Sequence, residues 1–229
     1  MESLLSDINE LIDYSKNELK QLKQSDKISK VRVKNILENL RSALEYSAQE
    51  INKTQKKPKK RVYFPYGEDE EKFKQSLTRN LPEIEPNTNL FQLIESLQYY
   101  KSGDKWLYLM CNATNIAKHN KGLNIENQPE RNKKIKSIQS GGIHIIGGKN
   151  ITVIGNTYNG KRVPNFTLNE NDLNITDPGE VEMKIEFEIT ENQKIVIKDI
   201  EQDLFVFLEK CVDQISDFIR NLYKLIPKQ

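Results

Sequence analysis

Apolar positions recur at helical spacing through the first half of the chain and at strand spacing in part of the second. Leu4, Leu5, Ile8, Leu11, Ile12, Leu19 and Leu22 fall on one face of a helix over residues 3–23, with charges on the other side. After a polar break containing Ser25 and Asp26, Val33, Ile36, Leu37, Leu40, Leu44, Ala48 and Ile51 predict a second, antiparallel helix over 30–55. A short extended run, Val62 to Phe64, is closed by Pro65 and leads into a helix expected to be capped near Gly67. Two more helical patterns cover 90–99 and 105–119, separated by Ser102-Gly103-Asp104, where Asp104 suits an N-cap. The first part therefore reads as a bundle of four to five helices.

Beyond the polar stretch 124–136 the period changes from 3.6 to 2. In GGIHIIGGKNITVIGNTYNG an eight-residue unit runs twice, IHIIGGKN and ITVIGNTY, each copy pairing a β-branched run with a turn dipeptide. That is the pattern of a glycine-punctuated hairpin or a β-solenoid rung, and two copies are too few for a solenoid. Val181, Met183, Ile185, Phe187 and Ile189 alternate with charged residues as a half-buried strand does, and Ile195 and Ile197 continue the pattern after a short turn. The chain ends in Leu204, Leu208, Cys211, Ile215, Phe218, Leu222 and Leu225 at 4-3 spacing, widened by Val212, Ile219 and Ile226. So broad a face suits packing on its own sheet or a multi-helix interface between subunits, for which Leu208, Ile215, Ile219 and Leu222 are the candidate contacts. The expected class is α+β: a helical bundle over residues 1–135, then β-hairpins and a long amphipathic helix over 136–229.

Composition narrows the options mainly by exclusion. Thirty-five Lys and Arg against 33 Asp and Glu leave a charge of +2, so attraction to nucleic acid or membrane must be local. No apolar run approaches the ~18 residues of a membrane span, and the acidic N-terminus does not read as a leader. Cys111 and Cys211 lie in apolar helical patterns without metal-ligand spacing, which points to buried thiols in a reducing, cytoplasmic setting. With two His and two Cys, no metal site or cofactor is expected.

Three places carry candidate chemistry. Tyr108, Asn112, Asn115 and His119 form a polar stripe on one helix, opposite Trp106, Leu107, Met110, Ala113 and Ala117. His119 reads either as a general base or phosphate contact, or as a capping cation in the last turn before Gly122. Arg41, between Glu38 and Glu45, reads as an ion-pair residue or as a phosphate ligand. Lys53, Lys56, Lys57, Lys59, Lys60 and Arg61 put six cations within nine residues, followed by Tyr63, Phe64 and Tyr66. That combination suits phosphate contact with base stacking, or a solvated loop beside a tucked extended segment. The glycine pairs 141–142 and 147–148 lack the Lys-Ser/Thr and helix of a phosphate loop.

Taken in order, ILENLRSALEY, VYFPY, SLQYY and NIAKHNKGL resemble bacterial helical proteins of HEPN type over roughly residues 34–123. Catalytic members of that superfamily place an arginine, followed by a polar residue, four to six positions before a histidine near a helix end. The resemblance assigns Asn115 and His119 to the motif, with Thr114 where the arginine would stand. It implies a degenerate ribonuclease site and a non-catalytic binding or assembly protein, recruiting a protein partner or a second copy in a bacterial defence or toxin–antitoxin system. The alternative it carries is a metal-independent ribonuclease using His119 as acid/base and Asn115 as orienting group. Arg41 or Lys118 would then supply the phosphate cation.

Overall fold

A computed structural model describes residues 4–86, 88–119, 122–137, 150–169, 172–181 and 185–226. Among these are seven α-helices and small antiparallel sheets, an α+β chain as its patterning predicts. It divides into two compact units, one made of residues 1–126 and 195–229 and the other of 127–194.

The first unit is helical. α1 (Leu5–Lys23) and α2 (Lys30–Lys53) pack face to face through the predicted stripes, and Ser29 caps α2 by accepting the Arg32 N–H. α3 (Glu70–Asn80) starts from Asp69, whose carboxylate accepts the Lys72 N–H at 2.8 Å. Gly67 was the expected cap, but its role is spatial: a Cβ there would stand 2.2 Å from the Phe73 nitrogen. The pattern over 90–99 yields two short helices, α4 (Asn89–Glu95) and α5 (Tyr99–Ser102), the latter ended by Gly103 in a left-handed conformation. α6 (Trp106–His119) follows, its first N–H accepted by Asp104 at 3.0 Å.

α7 (Leu204–Leu225), capped by Asp203, belongs to this helical unit and packs against α1, α2, α4 and α6. This corrects the expected division at residue 135, which grouped the last helix with the hairpins. The reason is the width of its apolar stripe, which four helices cover together and a small sheet does not. Phe218 meets Phe64 edge to face at 5.3 Å, tying α7 to the extended VYFPY segment.

The chain leaves the helical unit through β1 (Ile125–Ser137) and returns through β7 (Ile185–Ile197), neighbours in a sheet of order β1-β7-β8, with β8 at Gln202–Asp203. A polar connection was expected over 124–136, and a turn between residues 189 and 195. Instead each segment is a continuous strand. Backbone pairing with β7 makes a strand of a sequence with few apolar residues, and Pro129 is tolerated because β1 lies at the sheet edge.

The second unit contains a sheet of order β2-β5-β6, formed by Ile151–Val153, Asn165–Leu168 and Leu173–Asp177. Its small core is Ile151, Phe166 and Leu168, flanked by Val153 and Leu173. β3 (Thr157–Tyr158) and β4 (Lys161–Arg162) form a two-residue hairpin across Asn159-Gly160, both at positive φ. The second repeat copy thus supplies β2 and β3, and β2 pairs with β5. Residues 141–149, which hold both glycine pairs, His144 and all of the first copy but Asn150, lie outside the described residues, as do Glu182, Met183 and Lys184 of the alternating segment.

Candidate functional site

The motif helix α6 turns one face inward. Trp106, Leu107, Met110, Ala113 and Ala117 are buried, as predicted. Thr114 joins them at 1% exposure, its hydroxyl donating to the Met110 carbonyl at 2.8 Å. The position that the HEPN resemblance assigns to an arginine therefore lies in the core. The signal was present in the sequence: Thr114 stands four residues after Met110 and three before Ala117, on the apolar stripe. One residue on, Asn115 is exposed, whereas Tyr108 and Asn112 are half-buried. His119 is the last residue of α6, and its side chain lies outside the description.

Arg41 is fixed inside the first unit. Its Nε donates to Glu45 Oε1 at 2.7 Å, its guanidinium stacks on Tyr66 at 4.7 Å, and both partners of the ion pair are largely buried. Burial pulls the Arg41 pKa down, but Cys111, Glu45 and Tyr66 outweigh it and hold the value above that of an ordinary guanidinium. Burial in turn pushes the Cys111 thiol up to about 12, against the opposing influence of Arg41. The second oxygen of Glu45 accepts the Phe64 N–H at 2.6 Å. Arg41 therefore orients a carboxylate that holds the extended segment, a structural role for a residue that also read as a phosphate ligand.

The same segment shows a set of polar anchors that sequence reasoning missed. Tyr63 donates its N–H to Asn80 Oδ1 at 3.0 Å, and Gly67 its N–H to Gln98 Oε1 at 3.3 Å. The Gln98 amide donates to the Pro65 carbonyl at 3.3 Å and the Ile94 carbonyl at 3.1 Å. The N–H groups of Tyr63, Phe64 and Gly67 and the carbonyl of Pro65 are thus met by side chains from α2, α3 and the α4–α5 junction. No local periodicity marks such residues, since each acts across 17 or more positions in sequence.

The basic loop lies at the surface. Lys56, Lys57, Lys59, Lys60 and Arg61 are exposed, and so is Tyr63, with the Arg61 guanidinium 5.8 Å from its ring centroid. Beneath them the backbone is held in place. Glu83 accepts the N–H groups of Lys56 and Lys57 at 2.6 and 2.9 Å. The buried Asn52 carboxamide grips both the N–H and the carbonyl of Lys59, at 3.0 and 2.9 Å.

The candidate interface residues of α7 are corrected. Leu208, Ile215 and Leu222 are fully buried and Ile219 nearly so, all within the core of their own chain. They are interior contacts of the helical unit and offer nothing to a partner's surface. No helix among the described residues is long and apolar enough to cross a membrane, and no group of three or more potential metal ligands occurs among them. Comparison with protein-family models, curated proteins and solved structures gives no match.

Proposed function

We propose that this chain is a non-catalytic binding and assembly protein. The supporting observation is Thr114: the place of the motif's cation is occupied by a buried hydroxyl satisfied by its own helix. An in-line attack on a phosphodiester develops negative charge, which a cation at the scissile group stabilises. The other candidate from the bundle, Arg41, is held by Glu45 and Tyr66 and braces the VYFPY segment. Lys118, the remaining candidate cation, is exposed with Asn115 on α6, so a lysine charge stays at the surface there while the motif's arginine position does not. The resemblance to HEPN-type proteins supports a setting in a bacterial defence or toxin–antitoxin system, with a protein partner or a second copy as the bound species.

The test is incubation of labelled single-stranded RNA in chelator with the wild type and with His119→Ala. Intact RNA in both is expected. Cleavage by the wild type that disappears in a folded His119→Ala variant would overturn the proposal in favour of a metal-independent ribonuclease.

A further inference from the structure

The loop over residues 53–61 differs from the other charged surfaces of the helical unit. Many lysines on the helices are matched by carboxylates one helical turn away, as in Lys72 with Glu68, Lys74 with Glu70 and Lys34 with Glu38. Within the loop, Lys53 has Glu50, but Lys56, Lys57, Lys60 and Arg61 make no ion pair among the described residues. The carboxylate at the loop, Glu83, has both oxygens on backbone N–H groups. The Lys59 ammonium donates to the Arg79 carbonyl at 2.5 Å, which sets exposed Arg79 beside the same ridge. A chain of nearly balanced charge thus concentrates uncompensated cations in one place.

This ridge is also pre-ordered. The Asn52 grip and the Glu83 bridge fix the backbone at Lys56, Lys57 and Lys59, so the ordering that remains to oppose binding is that of the side chains and not of the loop. Next to it, Tyr63 is 49% exposed while its backbone is pinned to Asn80, leaving a ring face beside Arg61. Cations tracking a backbone beside an open aromatic ring match alternating phosphates and unpaired bases. A duplex keeps its bases stacked away from such a ring, and an acidic peptide or a lipid headgroup has no base to place on it.

We infer that Lys56, Lys57, Lys60, Arg61 and Tyr63 form a binding site for single-stranded nucleic acid, with the phosphates on the cations and a base on the tyrosine. This rests on the reading of the chain as a binder that does not cleave. The site lies on exposed residues whose side chains carry no part of the fold, so it can be removed without unfolding the protein.

Fluorescence anisotropy with labelled single-stranded RNA and DNA oligonucleotides of one sequence, read across a salt series, tests it on the full chain. Four phosphate contacts give a slope of log affinity against log salt near −2.8, so affinity drops roughly 50-fold between 50 and 200 mM. The triple variant Lys56→Glu, Lys57→Glu, Lys60→Glu should bring that slope to roughly −0.7 or abolish binding, and Tyr63→Ala should weaken binding about tenfold at any salt. The RNA and DNA arms identify which strand type is the source. Absent binding, unchanged affinity in the triple variant, tighter binding of duplex, or equal competition by polyglutamate or anionic vesicles would overturn the assignment. The oligonucleotides are then run on a denaturing gel. Shortened strands refute the non-catalytic reading and leave the site to the variant comparison, whereas intact but unbound strands refute the site alone.

Discussion

Placing an arginine at position 114 restores the HEPN-type motif on paper, and the structure makes a definite forecast for Thr114→Arg. At 1% exposure the site has no room for a longer side chain, and Met110, Ala113 and Ala117 of the same face are buried with it. Overpacking a filled core costs about 1 to 3 kcal/mol, and an enclosed cation without a partner adds several more after relaxation. A combined loss of about 4 kcal/mol is a large part of the 5 to 15 kcal/mol that holds a typical domain together. Thr114→Val is the control. It removes only a hydroxyl bond to a carbonyl within the same helix, and should cost no more than about 1 kcal/mol.

Urea unfolding followed by circular dichroism measures both variants. With a slope near 2 kcal/mol per molar, the arginine variant's midpoint should fall by about 2 M, or the protein should be unfolded in buffer, while valine shifts it by roughly 0.5 M or less. RNA cleavage in chelator is measured alongside and should stay absent in both. An arginine variant with wild-type stability that cleaves RNA would show that position 114 opens onto a site. That outcome would refute the enclosed position of residue 114 and leave the missing arginine alone as the reason that the wild type does not cleave.

Glu45→Ala should cost about 3 kcal/mol, because it strips the Phe64 N–H of its acceptor and leaves Arg41 largely buried without its carboxylate; a loss below about 1 kcal/mol in the same urea titration would refute the clamp. Ile215→Asp should yield unfolded or aggregated chain in size-exclusion chromatography, since it buries a carboxylate at a fully enclosed position; a folded species of half the wild-type mass would restore Ile215 to an interface. For Cys111, burial raises the native thiol to about 12 from an ordinary 9.0. Above pH 9 the unfolded chain therefore loses a proton that the native chain keeps, and stability falls by about 1.4 kcal/mol per pH unit up to about 12. Cys111→Ala should show a correspondingly shallower alkaline loss in urea titrations at pH 8 and 10.5, and identical slopes would refute the assignment.

The parts of the fold that were legible in the sequence are those in which one face of one element decides the outcome. The stripes of α1, α2, α6 and α7 appear as periodic apolar positions because each helix buries a single side. What was illegible depends on partners remote in the chain. Residues 124–136 look like a linker, yet become β1 because β7 offers it a ladder some sixty positions later. Leu208, Ile215, Ile219 and Leu222 read equally well as core or as interface, because an apolar stripe does not state what covers it. The candidate site divides in the same way. The cationic loop was visible as charge, but Asn52 and Glu83, which fix its shape, gave no local sign. Thr114 was recognisable as a departure from the motif, and its spacing from Met110 and Ala117 already placed it inside.

The order of elements also explains how a helical unit accommodates a β unit in the middle of its sequence. Where the chain leaves and returns, the Lys198 N–H donates to the Asn124 carbonyl at 2.9 Å, and the Asn124 N–H to the Asp199 carboxylate at 2.7 Å. The ends of the excursion are thus fastened to one another inside the helical unit. Closing that loop costs entropy that grows only slowly with its length, so residues 127–194 burden the helices little. What the helices need is α7 itself, because α1, α2, α4 and α6 all turn apolar faces toward it. The last helix therefore completes a core begun by the first.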